Sequence, residues 1–495
     1  MSAQKVRDAA RFRCDLARAP LPLPHFWEHT VGSDHAPMAL RADWQAQLKR
    51  AHDELGFRHV RFHGLLSDRM FTLTCQQDQL LYSFFDADSV FDFLRSIGMR
   101  PFVELSFMPR TLSSGGATVF SYQGNITPPR DYGAWATLVG KLVGHWVERY
   151  GIAEVRRWYF EVWNEPNLPT FWTGTQADYF ELYRHTADAI KAVDGRLRVG
   201  GPATAMNAWI EPFLDFCASN GVAADFVSTH HYPTDAFGKP GDDTETQLAD
   251  SRRGVLREQA RMTRAQARGK PVCYTEWSSS SNPRDPMHDE PYAAAFAIKT
   301  IMEARGLVDA YSYWTFSDIF EENYMPSRPF HGGFGLLNLH GIAKPVYRAF
   351  QLLHDLGEEL IETEGSHATV DAWVIRSGRR ISVLMTNYAL PRHPIDNERV
   401  AIRLDSMPAA RAATLRRIDA DHASARKTWL AMGSPEYLSA HELRRLDAAS
   451  RLKPRPITCR ARKNTLELDI RVPPQAVAAI DIELAGTASA GKRRS

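Results

Sequence analysis

The sequence is poor in the features that mark several large classes of protein. Its five cysteines, Cys14, Cys75, Cys217, Cys273 and Cys459, are scattered and odd in number, with no CxxC pair. That argues against a disulfide framework or a zinc site and fits a reducing compartment. No apolar run is long enough to cross a bilayer. The amino terminus, MSAQKVRDAARFRCDLARAP, is charged throughout and lacks the apolar segment of a secretory signal. Together these absences predict a cytoplasmic protein without a membrane partner. An excess of one charge is missing too: 60 basic residues stand against 58 acidic ones, a formal net charge of +2, so no general field favours nucleic acid. GxSxG, a Walker loop and HExxH are all absent, which removes three common catalytic frameworks.

What is there is an ordinary globular composition, 44% hydrophobic and 24% charged, in a chain of 495 residues. That length exceeds a single core, so two domains are expected. Extended patterns at 26–31, 59–62, 100–106, 158–163, 197–200, 226–229, 271–275 and 310–316 alternate with helical ones. The helices are expected over 42–55, 88–97 with Asp88 as its cap, 132–150, 176–193, 208–220, 255–267, 292–305 and 345–356. Eight such repeats are the count for a (β/α)8 TIM barrel of the α/β class. A hairpin is expected over 69–82 and a long Gly/Ser/Pro loop over 107–130. From about residue 368 short strands follow without helices between them, at 369–376, 381–387, 400–404, 414–418, 465–471 and 476–484, interrupted once by a helix over 435–448. This spacing predicts a C-terminal β-sandwich. The expected division is a catalytic barrel over 15–357, a sandwich over 358–486 with residues 1–14 as a candidate addition, and a frayed tail over 487–495. No feature specifies an oligomeric state.

The stretch 158–172, WYFEVWNEPNLPTFW, organises the chemistry. Its first half is a buried strand that stops at Asn164, Glu165 and Pro166. Proline pushes the residue before it towards extended geometry, so Glu165 is expected at the point where strand becomes loop. Among Trp163, Phe171 and Trp172 a carboxyl pKa rises, which suits a general acid. The plain alternative is a solvated loop carboxylate. In a barrel the strand ends converge on one face, and here they carry His63, Asn164, Glu165, His230, Tyr232, Glu276, Trp314 and then Glu321-Glu322. Two carboxylates after strands four and seven face each other across the mouth, the pair that glycosidic hydrolysis requires.

FEVWNEPN, the HHYP turn, YTEW and WTFSD with its following Glu-Glu resemble glycoside hydrolase family 39 of clan A, bacterial β-xylosidase type, over most of the chain. The resemblance implies Glu165 as general acid/base, Glu276 as nucleophile and Asn164 as the ligand of the sugar 2-hydroxyl. It places Arg61, His63, His230, Tyr232, Trp314, Glu321 and Glu322 around the reacting sugar, with Phe120 and Phe171 as apolar walls. No cofactor and no metal are implied. The implied substrate is a xylo-oligosaccharide or another β-xyloside, whose terminal β-D-xylosyl residues are hydrolysed with retention by an exo-acting enzyme. An α-L-arabinofuranosidase, an α-L-iduronidase and a non-catalytic carbohydrate-binding barrel are the other readings.

Plain alternatives stand beside several of these residues. Glu276 also reads as a structural hydrogen-bonded carboxylate, Trp314 as barrel core, and Arg61 as a neutraliser of surplus acids. Adjacent His230 and His231 point to opposite sides of a strand, so one at most faces the pocket. Around His230 and His231, metal-ligand spacing of the HxxxH type is absent. The GGFG at 332–335 lacks the strand-helix context of a dinucleotide loop and reads as turn chemistry. Two acids beyond the catalytic pair disfavour a uronic acid, and Trp314 favours a pentose over a hexose.

Overall fold

The computed structural model describes residues 9–235 and 238–485; the expected tail at 487–495 and residues 1–8 lie outside that range. Eight parallel strands close into a barrel: Thr30–His35, His59–His63, Arg100–Leu105, Tyr159–Val162, Arg198–Thr204, Phe226–His231, Val272–Trp277 and Ala310–Tyr313. Strand eight meets strand one where Tyr313 pairs with Val31. The connecting helices form where apolar residues recur on one face. In Ala42–Leu55 that face is Trp44, Leu48, Ala51 and Leu55, and Gly56 in the left-handed region (φ 76°) ends the helix by donating its N–H to His52. Asp131 caps Tyr132–Tyr150, and a Thr175–Asp178 capping box starts Gln176–Val193.

Two local expectations need correction. The apolar run at 26–31 is not the first strand: Phe26–Glu28 is a 3-10 turn whose Phe26 and Trp27 are buried, and the strand runs Thr30–His35. Such a run reports burial and not extension. Asp88 is no cap either; the helix spans Phe85–Ser96, and Asp88 sits in its first turn, hydrogen-bonded to His145 Nε2 at 2.8 Å.

After the barrel the chain forms two facing sheets. Strands Val370–Ser377, Arg380–Asn387, Ala476–Leu484 and Ala410–Ile418 build most of one, and Glu398–Asp405 with Thr465–Val472 the centre of the other. The start of the chain enters both. Ala10–Asp15 lies parallel to Glu398–Asp405, and Leu21–Pro22, within the stretch assigned to the barrel by sequence, pairs with Glu359–Ile361. Two helices, Arg426–Ala431 and Ala440–Ser450, pack Trp429 and Leu446 against Phe330 and Ile342 at the barrel's edge. Among the described residues no helix is long and apolar enough to cross a membrane.

Candidate active site

Strand four ends in a backbone that proline alone does not predict. Trp163 and Glu165 both take left-handed φ, 70° and 44°, instead of the extended geometry expected before Pro166. A bulky residue there is an outlier, and such conformations cost roughly 1–3 kcal/mol each, persisting where surroundings over-determine them. Here they do: Trp163 Nε1 donates to Phe171 O at 2.8 Å, and Glu165 N donates to Ala203 O at 2.8 Å. The result turns the Glu165 carboxyl into a pocket lined also by His63, Phe120, Asn164, Phe171, Tyr232, Glu276, Trp314 and Glu322.

Beneath this pocket lies a buried charge network. Arg61, in the middle of strand two, donates through Nε to Glu161 at 2.5 Å, through Nη1 to Glu276 at 2.8 Å and through Nη2 to Asn164 Oδ1 at 2.9 Å. Its Nη2 is also 2.8 Å from Glu104. Burial opposes the charge on Arg61, but Glu161, Glu104 and Glu276 raise its pKa overall. Arg61 therefore fixes the site from below and does not line it. Glu276 accepts on its other oxygen from the Tyr232 hydroxyl at 2.9 Å. Burial alone lowers the His63 imidazole, while Glu104, 2.6 Å from Nδ1, raises it overall.

Glu165 has different company. Burial lifts its carboxyl to about 7, against the pull of His63 and Arg61. Its Oε1 is 2.9 Å from His230 Nδ1, and burial lowers that imidazole to about 4, so the ring is neutral. The Thr275 hydroxyl donates to Glu161 at 2.8 Å and has only one proton. Its oxygen must therefore accept from His230 Nε2, 3.1 Å away, which assigns the proton to Nε2 and leaves Nδ1 as an acceptor. The Glu165–His230 contact is then a hydrogen bond while Glu165 carries its proton. His231 points the other way, stacked on Tyr274 at 3.8 Å and bonded to Tyr311 OH at 2.9 Å.

The two C-terminal acids part company as well. Burial, with Asp34, Glu276 and Glu165 nearby, pushes Glu322 well above the usual carboxylate range, so it enters the pocket as a neutral donor. Glu321 turns outward to Arg69 and to His35 Nε2 at 3.1 Å, and hydrogen bonding from His35 first, then Arg69, holds it down at about 2. It does not line the pocket. Phe120 and Phe171 meet edge to face at 5.5 Å on the wall.

Four residues escaped the sequence reading. Glu104 and Glu161 sit mid-strand with fully buried side chains; their signal was a charge inside an apolar strand. Asp235, just past the HHYP turn, lines the pocket and is pushed by burial and then Glu165 up to about 8. Phe334, in the GGFG turn, lines it too. Among the described residues two trios bring three ligand atoms within 4.8 Å of one another: Glu165–His230–Glu276, and His25–Glu28–His354 outside the pocket. Both have donor atoms a cation could use.

One oxygen each of Glu165 and Glu276 lie within 4.8 Å of each other, at the carboxyl-terminal mouth of a parallel barrel. Such a close pair matches the retaining kind of glycoside hydrolase better than the inverting kind, whose carboxyl groups stand apart to admit a water. The family model of glycosyl hydrolases family 39 matches residues 10–467, and the chain belongs to that family. It is 49% identical to a β-xylosidase of Caldicellulosiruptor saccharolyticus over 92% of this chain and 95% of that one. A β-xylosidase of Geobacillus stearothermophilus is 36% identical over 92% of each. The solved family 39 β-xylosidase of Caulobacter crescentus superposes with a TM-score of 0.81 at 36% identity, covering 96% of this chain and 100% of that one.

Proposed function

We propose that the protein is a retaining, exo-acting β-xylosidase that removes terminal β-D-xylosyl residues from xylo-oligosaccharides, with Glu276 as nucleophile and Glu165 as acid/base. The observation that carries the reading is the approach of the two carboxylates within 4.8 Å, joined to the names of the relatives. A Glu276 oxygen attacks the anomeric carbon as the glycosidic bond breaks, and Glu165 gives its proton to the departing oxygen. Glu165, now a carboxylate, takes a proton from water, whose oxygen attacks the same carbon and expels Glu276. Two inversions give net retention. Asn164, its Oδ1 held by Arg61, has its amide free for the sugar 2-hydroxyl. His63 and neutral Glu322 are placed to bond the remaining hydroxyls.

The division of labour proposed with it gives catalysis to the barrel over 15–357 and an accessory role to the sandwich. All five cysteines are unpaired, which supports a reducing, cytoplasmic setting. A panel of nitrophenyl glycosides tests the activity: kcat/KM is expected to be highest for the β-D-xyloside, with weaker turnover of the α-L-arabinoside. A higher value for the α-L-iduronide overturns it.

A further inference from the structure

The segment HGGFG at 331–335 takes no part in the steps above, yet it is tied down along its length. Gly332 N donates to Asp289 Oδ2 at 2.8 Å, and Gly332 O is 2.9 Å from His288 Nδ1. Gly333 O accepts from Lys344 Nζ at 2.8 Å, and Gly335 N donates to Asp318 Oδ1 at 2.7 Å. The same Lys344 ammonium bridges Asp289 at 2.8 Å and Asp318 at 2.6 Å, all three side chains being buried. The glycines are required by this closeness. A Cβ on Gly333 would fall 2.4 Å from Asp318 Oδ1, and one on Gly335 would fall 2.3 Å from Asp318 N.

What the strap holds is Phe334. Its ring packs on Phe320 at 5.7 Å, and Phe320 packs on Trp314 at 6.1 Å. These three make a small apolar cluster of their own, from which Phe334 and Trp314 face the pocket. Apart from a second apolar wall of Phe120, Leu168 and Phe171, the lining near the proposed catalytic pair is rich in hydrogen-bonding groups: Asn164, Tyr232, His63 and Glu322. A xylopyranosyl ring has the same asymmetry. C1 carries the glycosidic oxygen, C2, C3 and C4 carry hydroxyls, and C5 is a bare methylene. The apolar corner matches C5.

We infer that Phe334, positioned by the buried Lys344–Asp289–Asp318 strap, closes the pocket against any substituent on C5 and so selects a pentose over a hexose or a uronic acid. This rests on the β-xylosidase reading. A hexose brings a hydroxymethyl group whose hydroxyl would press on this corner without a partner. Lys344 is a positioning residue and touches no substrate.

The test compares kcat/KM for nitrophenyl β-D-xyloside and β-D-glucoside in the full-length protein. Phe334→Ala is expected to shift the ratio towards the glucoside by at least about tenfold, within the 10–200-fold range that one such group is worth in a pocket. Lys344→Met should move the same ratio in the same direction and add little to Phe334→Ala in the double variant. A merely structural lysine would instead lower both substrates equally. Should Lys344→Met not fold, Asp318→Asn keeps an acceptor for Gly335 while removing one charge, and reads the same strap. A xyloside preference that Phe334→Ala leaves unchanged, in protein with native circular dichroism, overturns the wall and spares the β-xylosidase reading. A wild-type protein that prefers the glucoside overturns both.

Discussion

Glu165 and Glu276 lie within 4.8 Å of each other, yet their surroundings are opposite in kind. Glu276 accepts hydrogen bonds on both oxygens, one from the Arg61 guanidinium and one from Tyr232 OH. Glu165 is buried without a cation bonded to it and faces a neutral imidazole that accepts its hydrogen bond. One carboxylate is surrounded by donors and the other by an acceptor. On the proposed roles, the difference teaches how one pocket can give two tasks to one residue type: by the direction of the hydrogen bonds that reach it.

The comparison breaks most completely at Glu276. Glu276→Ala should lose activity on every substrate alike, by more than the roughly 10²–10⁴-fold that removal of a general acid gives. A residual rate that depends on the leaving group, measured across phenyl xylosides and xylobiose, would contradict this.

Glu165→Gln should be next, and selective. Loss of kcat/KM on xylobiose is expected at about 10²–10⁴-fold, with little loss of kcat/KM on a nitrophenyl xyloside whose leaving group needs no proton. The value of kcat falls on both, because the water step also uses Glu165. The pH profile carries the sign. Glu165 must be protonated to act as an acid, and its pKa stands at about 7, so wild-type kcat/KM on xylobiose falls as pH rises through that value. In the variant on the activated substrate this alkaline limb should vanish.

Thr275→Val sharpens the comparison more gently. Without the acceptor for Nε2–H, His230 is free to put its proton on Nδ1 and donate to ionised Glu165. The charged form gains what the neutral form had. A hydrogen bond is worth about 0.5–1.5 kcal/mol net, so the alkaline limb should move down by up to about one pH unit, with catalysis otherwise within about tenfold. An alkaline limb at the wild-type position would dissolve the assigned tautomer.

The smallest effect belongs to Glu321→Gln. Its partners Arg69 and His35 do not line the pocket, and an ion pair with a half-exposed arginine is worth about 0–1 kcal/mol. A change in kcat/KM below about fivefold is expected, in contrast to Glu322→Gln next door.

The strand ends were legible in sequence because a barrel converts position along the chain into position at the mouth. Alternating repeats were enough to bring Glu165, Glu276, His63 and Tyr232 to one place. Helices with side-chain caps, Tyr132–Tyr150 and Gln176–Val193, were legible to the residue. What escaped depends on which way a side chain turns. Glu321 and Glu322 are neighbours in sequence and diverge in space. Glu104 and Glu161 are charges within apolar strands whose counter-charge, Arg61, becomes visible only in the folded chain. The left-handed φ of Trp163 and Glu165 is held by contacts with Phe171, a few residues on in the same stretch, and with Ala203, which no local pattern links to strand four. Phe334 reached the pocket through ion pairs between residues 289, 318 and 344, a link visible only once the chain is folded.

The most direct test of the two roles is to trap the intermediate. A 2-deoxy-2-fluoro β-xyloside with a good leaving group, incubated with the enzyme, digested and sequenced by mass spectrometry, should leave the sugar esterified to Glu276, with retained product seen by NMR during normal turnover. Label on Glu165 or any other carboxylate, or product of inverted configuration, would contradict the account.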